Sequence, residues 1–205
     1  MKLAVLGASG HGKVVADTAE SCGWTKIVFF DDAWPSLNAN GCWPVVGTSD
    51  DLLEQLQNFD GVTVAIGNNG IRQAKLLALL QRGANLPTLI HPTAWVSRYA
   101  TVGIGTVIFA GAVLNAGASV GMGGVLNTGC SVDHDCDLAE SVHVSPGARL
   151  AGGVRVGHRT WIGIGACVKQ MVTIGADVVV GAGAAVVNDL AAGGTVVGVP
   201  ARPLQ

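Results

Sequence analysis

A histidine flanked by acidic residues stands out in the second half of the chain. Residues 131–137 read Ser-Val-Asp-His-Asp-Cys-Asp, in a stretch where most neighbouring positions are apolar or small. A carboxylate beside an imidazole can accept a hydrogen bond from one ring nitrogen, which orients the ring and raises its basicity. We therefore predict that His134 is a general base and that Asp135 orients it. Asp133 and Asp137 are expected only to solvate the turn.

A six-residue period surrounds this histidine. Every sixth residue from Ile90 to Val186 is isoleucine, leucine or valine, and a small or β-branched residue follows four positions after each until the repeat ends at Leu190. This period fits neither the 3.6-residue repeat of an α-helix nor the two-residue alternation of a long strand. It is typical of a parallel β-helix, in which each short strand sends one aliphatic side chain inward and three hexads complete a coil.

A coil of eighteen residues stacks residues eighteen apart in columns. One aliphatic column reads Ile90, Ile108, Leu126, Val144, Ile162 and Val180. In this register Gly152 lies over His134, so its N–H, unshielded by a side chain, could polarise a carbonyl held near the histidine. Asn127 belongs to the same coil as His134, and His143 ends that coil. The spacing therefore predicts an acyl-transfer site within one coil and its neighbour.

The first 85 residues follow a different pattern, in which short apolar strands alternate with helices. We predict strands at 2–6, 26–30 and 62–66, and helices at 13–22, 50–57 and 69–82. Ser49 is expected to cap the second helix. This alternation indicates a small parallel α/β domain over residues 1–85, followed by a β-helix domain over residues 86–205.

Polar residues converge on one edge of the predicted sheet. A Gly-Ala-Ser-Gly-His-Gly turn at 7–12 follows the first strand, Asp-Asp ends the second at 31–32, and Gly-Asn-Asn follows the third at 67–69. Ligands of open α/β sheets bind beyond the carboxyl ends of the strands, and a helix N-terminus favours a phosphate. Arg72 is expected to pair with that phosphate. We therefore predict a nucleotide site, although glycines that serve only a tight turn are the alternative.

Composition excludes some classes of function. The net charge is −2 and only 13% of the residues are charged, so nothing favours nucleic acid or an anionic membrane. The longest apolar run, Val178–Val187, is too short to span a bilayer. The five cysteines lack metal or redox spacing; Cys130 and Cys136 are expected to be core thiols, and a reducing cytoplasm is the expected location.

These motifs together resemble those of the family of sialic-acid O-acetyltransferases and bacterial nucleotide-amino-sugar N-acetyltransferases. The matching segments are Gly-Ala-Ser-Gly-His-Gly at 7–12, Asp-Asp at 31–32, Ala-Ile-Gly-Asn-Asn at 65–69, Ile-His-Pro at 90–92, Asn-Thr at 127–128, Asp-His-Asp-Cys at 133–136, His-Val-Ser-Pro-Gly-Ala at 143–148 and Gly-Val-Pro-Ala-Arg at 198–202. The resemblance covers nearly the whole chain. It implies an α/β N-terminal Rossmann-like domain followed by a left-handed parallel β-helix of hexapeptide repeats.

Within this family, the chain is most similar to enzymes that acetylate a UDP-linked 2-acetamido-4-amino-trideoxyhexose on its 4-amino group. The product would be UDP-N,N′-diacetylbacillosamine, used for bacterial glycan or glycoprotein synthesis. The resemblance implies acetyl-CoA as co-substrate, with no metal and no NAD. It also implies a homotrimer whose active sites lie between subunits.

The resemblance also implies a role for each motif residue. His134 would be the general base and Asp135 its partner. The residues that would bind the nucleotide sugar are Gly10, His11, Asp31, Asp32, Gly67, Asn68, Asn127 and His143. The residues that would contact acetyl-CoA are His143, Gly152, Ile164, Gly181 and Gly183.

Three alternatives remain open at this stage. A relative of the same family could acetylate sialic acid or GDP-perosamine. Hexapeptide β-helices also include zinc carbonic anhydrases, although no two histidines of this chain are separated by a multiple of eighteen residues. A nucleotide-sugar-binding trimeric scaffold is the non-enzymatic alternative, but a scaffold has no need for an oriented base.

Overall fold

The computed structural model describes residues 1–204, which form a small α/β unit followed by a β-helix. The elements of the α/β unit are β1 (Lys2–Leu6), α1 (Gly10–Ser21), β2 (Lys26–Phe30), β3 (Ala39–Asn40), β4 (Trp43–Pro44), α2 (Ser49–Glu54), a 3-10 turn (Leu56–Asn58), β5 (Gly61–Val64) and α3 (Asn69–Gln81). Strands β2, β1 and β5 pair in that order as a parallel sheet. The predicted α/β class of this region is confirmed.

The bounds of α1 and α2 differ from the prediction, whereas α3 begins at Asn69 as predicted; α2 ends at Glu54 and not at residue 57. Thr48, and not Ser49, caps α2: its side chain accepts a hydrogen bond from Asp51 N, and the Asp51 carboxylate accepts one from Thr48 N. Ser49 is instead the first helical residue. Helix α1 begins at Gly10, so His11 lies in its first turn and the glycine-rich segment is partly helical.

The β-helix is a triangular prism with three faces of parallel two-residue strands. The first face contains Leu89–Ile90, Val107–Ile108, Val125–Leu126, His143–Val144, Trp161–Ile162 and Val179–Val180, extended by Thr195–Val197 and Arg202–Pro203. The second face contains Trp95–Val96, Val113–Leu114, Ser131–Val132, Arg149–Leu150, Cys167–Val168 and Ala185–Val186. The third face contains Thr101–Val102, Ser119–Val120, Asp137–Leu138, Arg155–Val156 and Thr173–Ile174.

The pairing register confirms the eighteen-residue coil. Leu126 pairs with Val144, and Val132 pairs with Leu150, in each case eighteen residues later. The predicted aliphatic positions fill one continuous core together with the small residues four positions later, which include Cys130 and Cys136. Both thiols are buried, as predicted.

The α/β unit covers the beginning of the first face. Outward-facing Leu89, Val107 and Val125 share a hydrophobic cluster with α1 and the parallel sheet. His143 and Trp161 continue the same outward column one and two coils further on. The edge of the α/β unit therefore lies beside His143. None of the helices within residues 1–204 is both long enough and apolar enough to cross a membrane.

The inward column should control the stability of the prism. Leu126 is fully buried within it, so Leu126→Ala should lower the free energy of unfolding by about 2–5 kcal/mol through lost burial and the cavity left behind. Urea denaturation followed by circular dichroism measures this change. Val187, which is 40% exposed, provides the control, because Val187→Ala should have a much smaller effect. Equal losses in the two variants would contradict the assigned core.

Candidate active site

His134 lies at the corner between the second and third faces, with its side chain 64% exposed. Its Nδ1 is 2.8 Å from Asp135 Oδ2. Because the carboxylate can only accept, Nδ1 carries the ring proton and donates a hydrogen bond to Asp135, which leaves the Nε2 lone pair free. The contact predicted between the two side chains is present, and it presents Nε2 as a base.

The turn conformation explains how neighbouring residues make this contact. A positive φ recurs every six residues from Gly105 to Gly183, mostly at glycines, and Asp135 occupies one of these positions with φ 58°. Aspartate tolerates this left-handed conformation better than most residues with a Cβ. A backbone requirement of the coil therefore coincides with the position of the carboxylate that orients the base.

Asp133 also holds His134 in place, which exceeds the solvating role expected for it. Its Oδ1 accepts hydrogen bonds from His134 N at 2.8 Å and from Asn115 Nδ2 at 2.9 Å, one coil earlier. The pKa of His134 is raised, first by the hydrogen bond to Asp135 and then by the negative charge of Asp133. Both carboxylates therefore make His134 a stronger base.

Gly152 stacks against the His134 ring, as the eighteen-residue register predicts. A Cβ at Gly152 would lie 2.5 Å from both Cε1 and Nε2 of His134. The Gly152 N–H donates no hydrogen bond within residues 1–204, although the neighbouring Gly153 N–H donates to His134 O. With the ring in this position a Cβ at residue 152 would clash with it, and an amide N–H remains available close to the basic nitrogen.

Gly152→Ala should displace the His134 ring and reduce the turnover of the predicted acyl transfer by about 10-fold or more, because catalysis is sensitive to small misplacements. The backbone itself should accept the change, since Ala116 and Ala176 occupy the equivalent turn position in other coils. Steady-state kinetics together with thermal unfolding provide the measurement. Full activity at an unchanged melting temperature would contradict the assigned contact.

A second polar cluster lies on the first face, beside the α/β unit. Asn127 Oδ1 accepts a hydrogen bond from Thr128 N at 2.8 Å, which turns Asn127 Nδ2 towards His143 Nε2 at 3.1 Å. His143 Nε2 is then an acceptor, so Nδ1 carries the ring proton. Trp161 packs against the His143 ring with 4.4 Å between the ring centroids.

His11 and His143 face each other across the contact between the two units. Their ring centroids are 6.2 Å apart, and Phe109 packs edge-on against His11. His11 Nε2 and His143 Nδ1 are buried and have no hydrogen-bond partner within residues 1–204. Burial, aided by the charge of Arg72, lowers the pKa of His11 to about 4 and that of His143 to about 3. Both rings are neutral at pH 7, and each has a buried ring nitrogen without a hydrogen-bond partner within residues 1–204.

These two histidines should make stability fall in mild acid. The unfolded chain protonates them near pH 6.5, whereas the folded chain does so only near pH 4 and pH 3. The unfolded state therefore binds more protons below pH 6.5, and each histidine should remove about 1.4 kcal/mol of unfolding free energy per pH unit between its two pKa values. Urea titrations at pH 7.5, 6 and 5 measure this slope.

His11→Gln provides the control for this measurement, because it should abolish about half of the loss that the two histidines cause between pH 6 and pH 5. Carboxylates contribute equally to wild type and variant, so the difference isolates the histidine. A slope that is identical in the two proteins would contradict the neutral, buried state of His11.

The predicted nucleotide residues are placed at one edge of the sheet, and several already have structural partners. Asp31 accepts hydrogen bonds from Ala8 N and Ala33 N, so it ties the first turn to the end of β2. Asp32 accepts from Ser49 N at the start of α2. Asn68 caps α3 by accepting from Ile71 N. Gly10 and Gly67 have open space where a Cβ would be.

Arg72 does not occupy the position expected for a phosphate ligand. Its side chain is 1% exposed, and its guanidinium donates to backbone carbonyls. The sequence placed it correctly near the start of α3, but only the packing of α3 against the coils shows that the side chain points inward.

A groove on the first face joins residues predicted for the two substrates. Its cavity volume is about 360 Å³, and its lining includes Asn127, His143, Ile164 and Gly181. Ile164 is 58% exposed, and Gly183 lies two residues beyond Gly181 with space for a neighbouring group. Trp161 also lines the groove and was missed from the sequence, although it lies eighteen residues after His143.

The two polar clusters lie at different edges of the prism. His134, Asp135 and Gly152 surround the corner between the second and third faces, whereas His143 lies on the first face. No group of three or more His, Cys, Asp and Glu side chains within residues 1–204 is arranged to hold a metal ion.

Comparison with known proteins connects this geometry to a family. Residues 2–77 match the PglD N-terminal domain family. GDP-perosamine N-acetyltransferase of Escherichia coli O157:H7 is 30% identical over 98% of this chain and 95% of its own length. UDP-N-acetylbacillosamine N-acetyltransferase of Bacillus subtilis is 36% identical over 53% of this chain and 51% of its own.

A solved structure extends the likeness to the whole fold. The acetyltransferase domain of PglB from Neisseria gonorrhoeae, solved in complex with acetyl coenzyme A, is 47% identical, with a TM-score of 0.95 over 99% of this chain and 98% of that one. The fold is therefore the Rossmann-like domain and left-handed hexapeptide β-helix that the sequence predicts. One relative matches almost the full length of the chain, and the coils contain an oriented histidine. The chain therefore belongs to the family of nucleotide-amino-sugar N-acetyltransferases.

Proposed function

We propose that this protein transfers an acetyl group from acetyl-CoA to the 4-amino group of a UDP-linked 2-acetamido-4-amino-trideoxyhexose, giving UDP-N,N′-diacetylbacillosamine. The single observation that carries the transfer chemistry is the His134–Asp135 pair, with Gly152 against the free side of the ring. A sugar nucleotide with an amine acceptor is supported by the relatives at 30% and 36% identity. The acetyl donor is supported by the acetyl-CoA complex of the 47%-identical PglB domain.

The chemistry is a direct transfer between the two bound substrates. The 4-amino nitrogen attacks the thioester carbonyl, and His134 Nε2 accepts the proton that the amine loses. The Gly152 N–H donates to the carbonyl oxygen as negative charge develops on it. The C–N bond forms, the C–S bond breaks, and CoA leaves as the thiolate, which takes up a proton. The buried thiols Cys130 and Cys136 have raised pKa values, because burial disfavours the thiolate, so neither suits an acyl-enzyme route.

The remaining predicted residues bind the two substrates. Residues 1–85 form the domain that holds the nucleotide through Gly10, Asp31, Asp32, Gly67 and Asn68. The amino sugar contacts His11, Asn127 and His143. The two histidines each have a ring nitrogen without a partner, which could bond to a hydroxyl or amide group of the sugar. Acetyl-CoA lies along residues 86–205, against His143, Gly152, Ile164, Gly181 and Gly183.

A homotrimer brings the two halves of this site together. Within one chain His134 and His143 lie at different edges of the prism, so one subunit supplies the base while a neighbour supplies the acceptor pocket. This arrangement requires that the active unit be an oligomer.

The UDP-4-amino sugar can be tested against the other acceptors. GDP-perosamine is the specific alternative, favoured by the relative that matches almost the full chain. CoA release from acetyl-CoA, followed with a thiol reagent, should be rapid with the UDP-4-amino sugar and slow with GDP-perosamine or sialic acid. If only GDP-perosamine is acetylated, GDP-perosamine and not the UDP-4-amino sugar is the substrate. If no acceptor causes CoA release, although the protein is folded and binds acetyl-CoA, the result would favour the scaffold alternative.

His134→Ala should lower the turnover number by about 10²–10⁴-fold while acetyl-CoA binding persists, because only the general base is lost. His158→Ala is the matched control, since His158 occupies the same hexad position at another corner and is exposed. Its activity should equal that of the wild type. Retained activity in His134→Ala, or loss of acetyl-CoA binding in it, would contradict the role assigned to His134.

A further inference from the structure

Within residues 1–204, Arg72 is the largest fully buried side chain, and it has no carboxylate partner there. All of its hydrogen bonds go to backbone carbonyls. Nη1 donates to Ile66 O at 3.1 Å and Gly67 O at 3.3 Å, Nε to Gly123 O at 3.0 Å, and Nη2 to Ser141 O at 2.8 Å. Four of its five N–H groups are therefore used, two in each structural unit.

These carbonyls belong to two parts of the proposed acceptor site. Ile66 and Gly67 form the turn after β5, which contains residues proposed to bind the nucleotide. Gly123 and Ser141 lie eighteen residues apart at the corner between the third and first faces, and Ser141 lies two residues before His143, the first residue of the next strand. One guanidinium therefore joins the nucleotide-binding turn to two successive coils beside His143.

Helix α3 is arranged so that Arg72 can make this connection. It runs along the same corner, where Asn69 Nδ2 donates to Arg159 O at 2.8 Å and Leu76 packs against Gly105 and Gly123. One helical turn advances about 5.4 Å and one coil about 4.8 Å, so successive turns of α3 meet successive coils. Arg72 lies in the middle of this contact.

A buried cation without a counter-ion is costly, and an apolar side chain would fill the same volume at lower cost. Arginine presents its donors in a rigid planar fork, whereas lysine has a single point of charge on a flexible chain. The need to bond carbonyls on both sides of the contact accounts for an arginine at this position. Its charge also contributes to the neutral state of His11 and His143.

We propose that Arg72 is a positioning residue of the acceptor site, which sets the distance and orientation of the Ile66–Gly67 turn relative to His143. This inference rests on the proposed function, because it assigns the nucleotide to that turn and the amino sugar to His143. Arg72 itself touches no substrate. It acts by holding the two halves of the acceptor pocket in register, so its loss should affect the nucleotide sugar more than acetyl-CoA.

Kinetics of Arg72→Lys test the proposal. This variant keeps the charge but loses the fork, so we expect kcat/KM for the nucleotide sugar to fall by about 10-fold to 100-fold, mainly through KM. KM for acetyl-CoA should stay within about twofold of the wild-type value. The assays are run at a temperature where thermal unfolding shows each protein to be folded.

Leu76→Ala is the matched control, because Leu76 is equally buried on the same helix and corner but bonds no part of the nucleotide turn. It should lower the melting temperature while leaving both KM values unchanged. If Arg72→Lys behaves in the same way, Arg72 is merely structural and the proposal fails. If Arg72→Lys does not fold, Asn69→Ala is used instead, because it removes another hydrogen bond between α3 and the same corner of the prism. This variant should raise KM for the nucleotide sugar alone. An unchanged KM would overturn the proposal.

The two proposals fail in different ways. A wild-type protein that releases no CoA with any amino-sugar nucleotide contradicts the proposed function. An active wild type whose Arg72→Lys variant keeps both KM values contradicts only the positioning role.

Discussion

The stacking of one coil on the next, eighteen residues apart, is the constraint on which the rest of the structure depends. Each two-residue strand is too short to be stable alone, and it persists only because its backbone bonds to the coils above and below. The stacking also determines which residues meet. It places Gly152 against His134, Trp161 against His143, and Asn115 beneath Asp133. A shift of one coil would separate each of these pairs.

The left-handed backbone position in every hexad links this architecture to the chemistry. The turns need a positive φ at regular intervals, and glycine supplies it at most of them. At Asp135, one of the five such positions not occupied by glycine, the left-handed turn carries a carboxylate bonded to the catalytic candidate. A small conformational cost at this corner is therefore accompanied by an oriented base.

The contact between the α/β unit and the prism follows a different principle. The prism is held together by apolar stacking, whereas the contact beside the first face contains a buried arginine and two neutral histidines. Polar groups in such a place are retained when their hydrogen bonds specify one arrangement. Arg72 satisfies its donors with carbonyls, and each histidine has a buried ring nitrogen without a partner within residues 1–204. The hydrogen bonds of Arg72 favour a defined geometry, and the unpaired histidine nitrogens favour a polar ligand.

Residues 90–186 by themselves determined the coil, its register, the inward thiols and the stacking of Gly152 on His134, because a strict period converts sequence distance directly into spatial distance. The alternation of strands and helices likewise determined the parallel sheet and the edge where its polar turns meet. Only the tertiary structure decided that the Arg72 side chain points inward and that His11 lies beside His143. These depend on how α1 and α3 pack against the first face and its corner, and such contacts join residues about 50–130 positions apart without any period that sequence reasoning could follow.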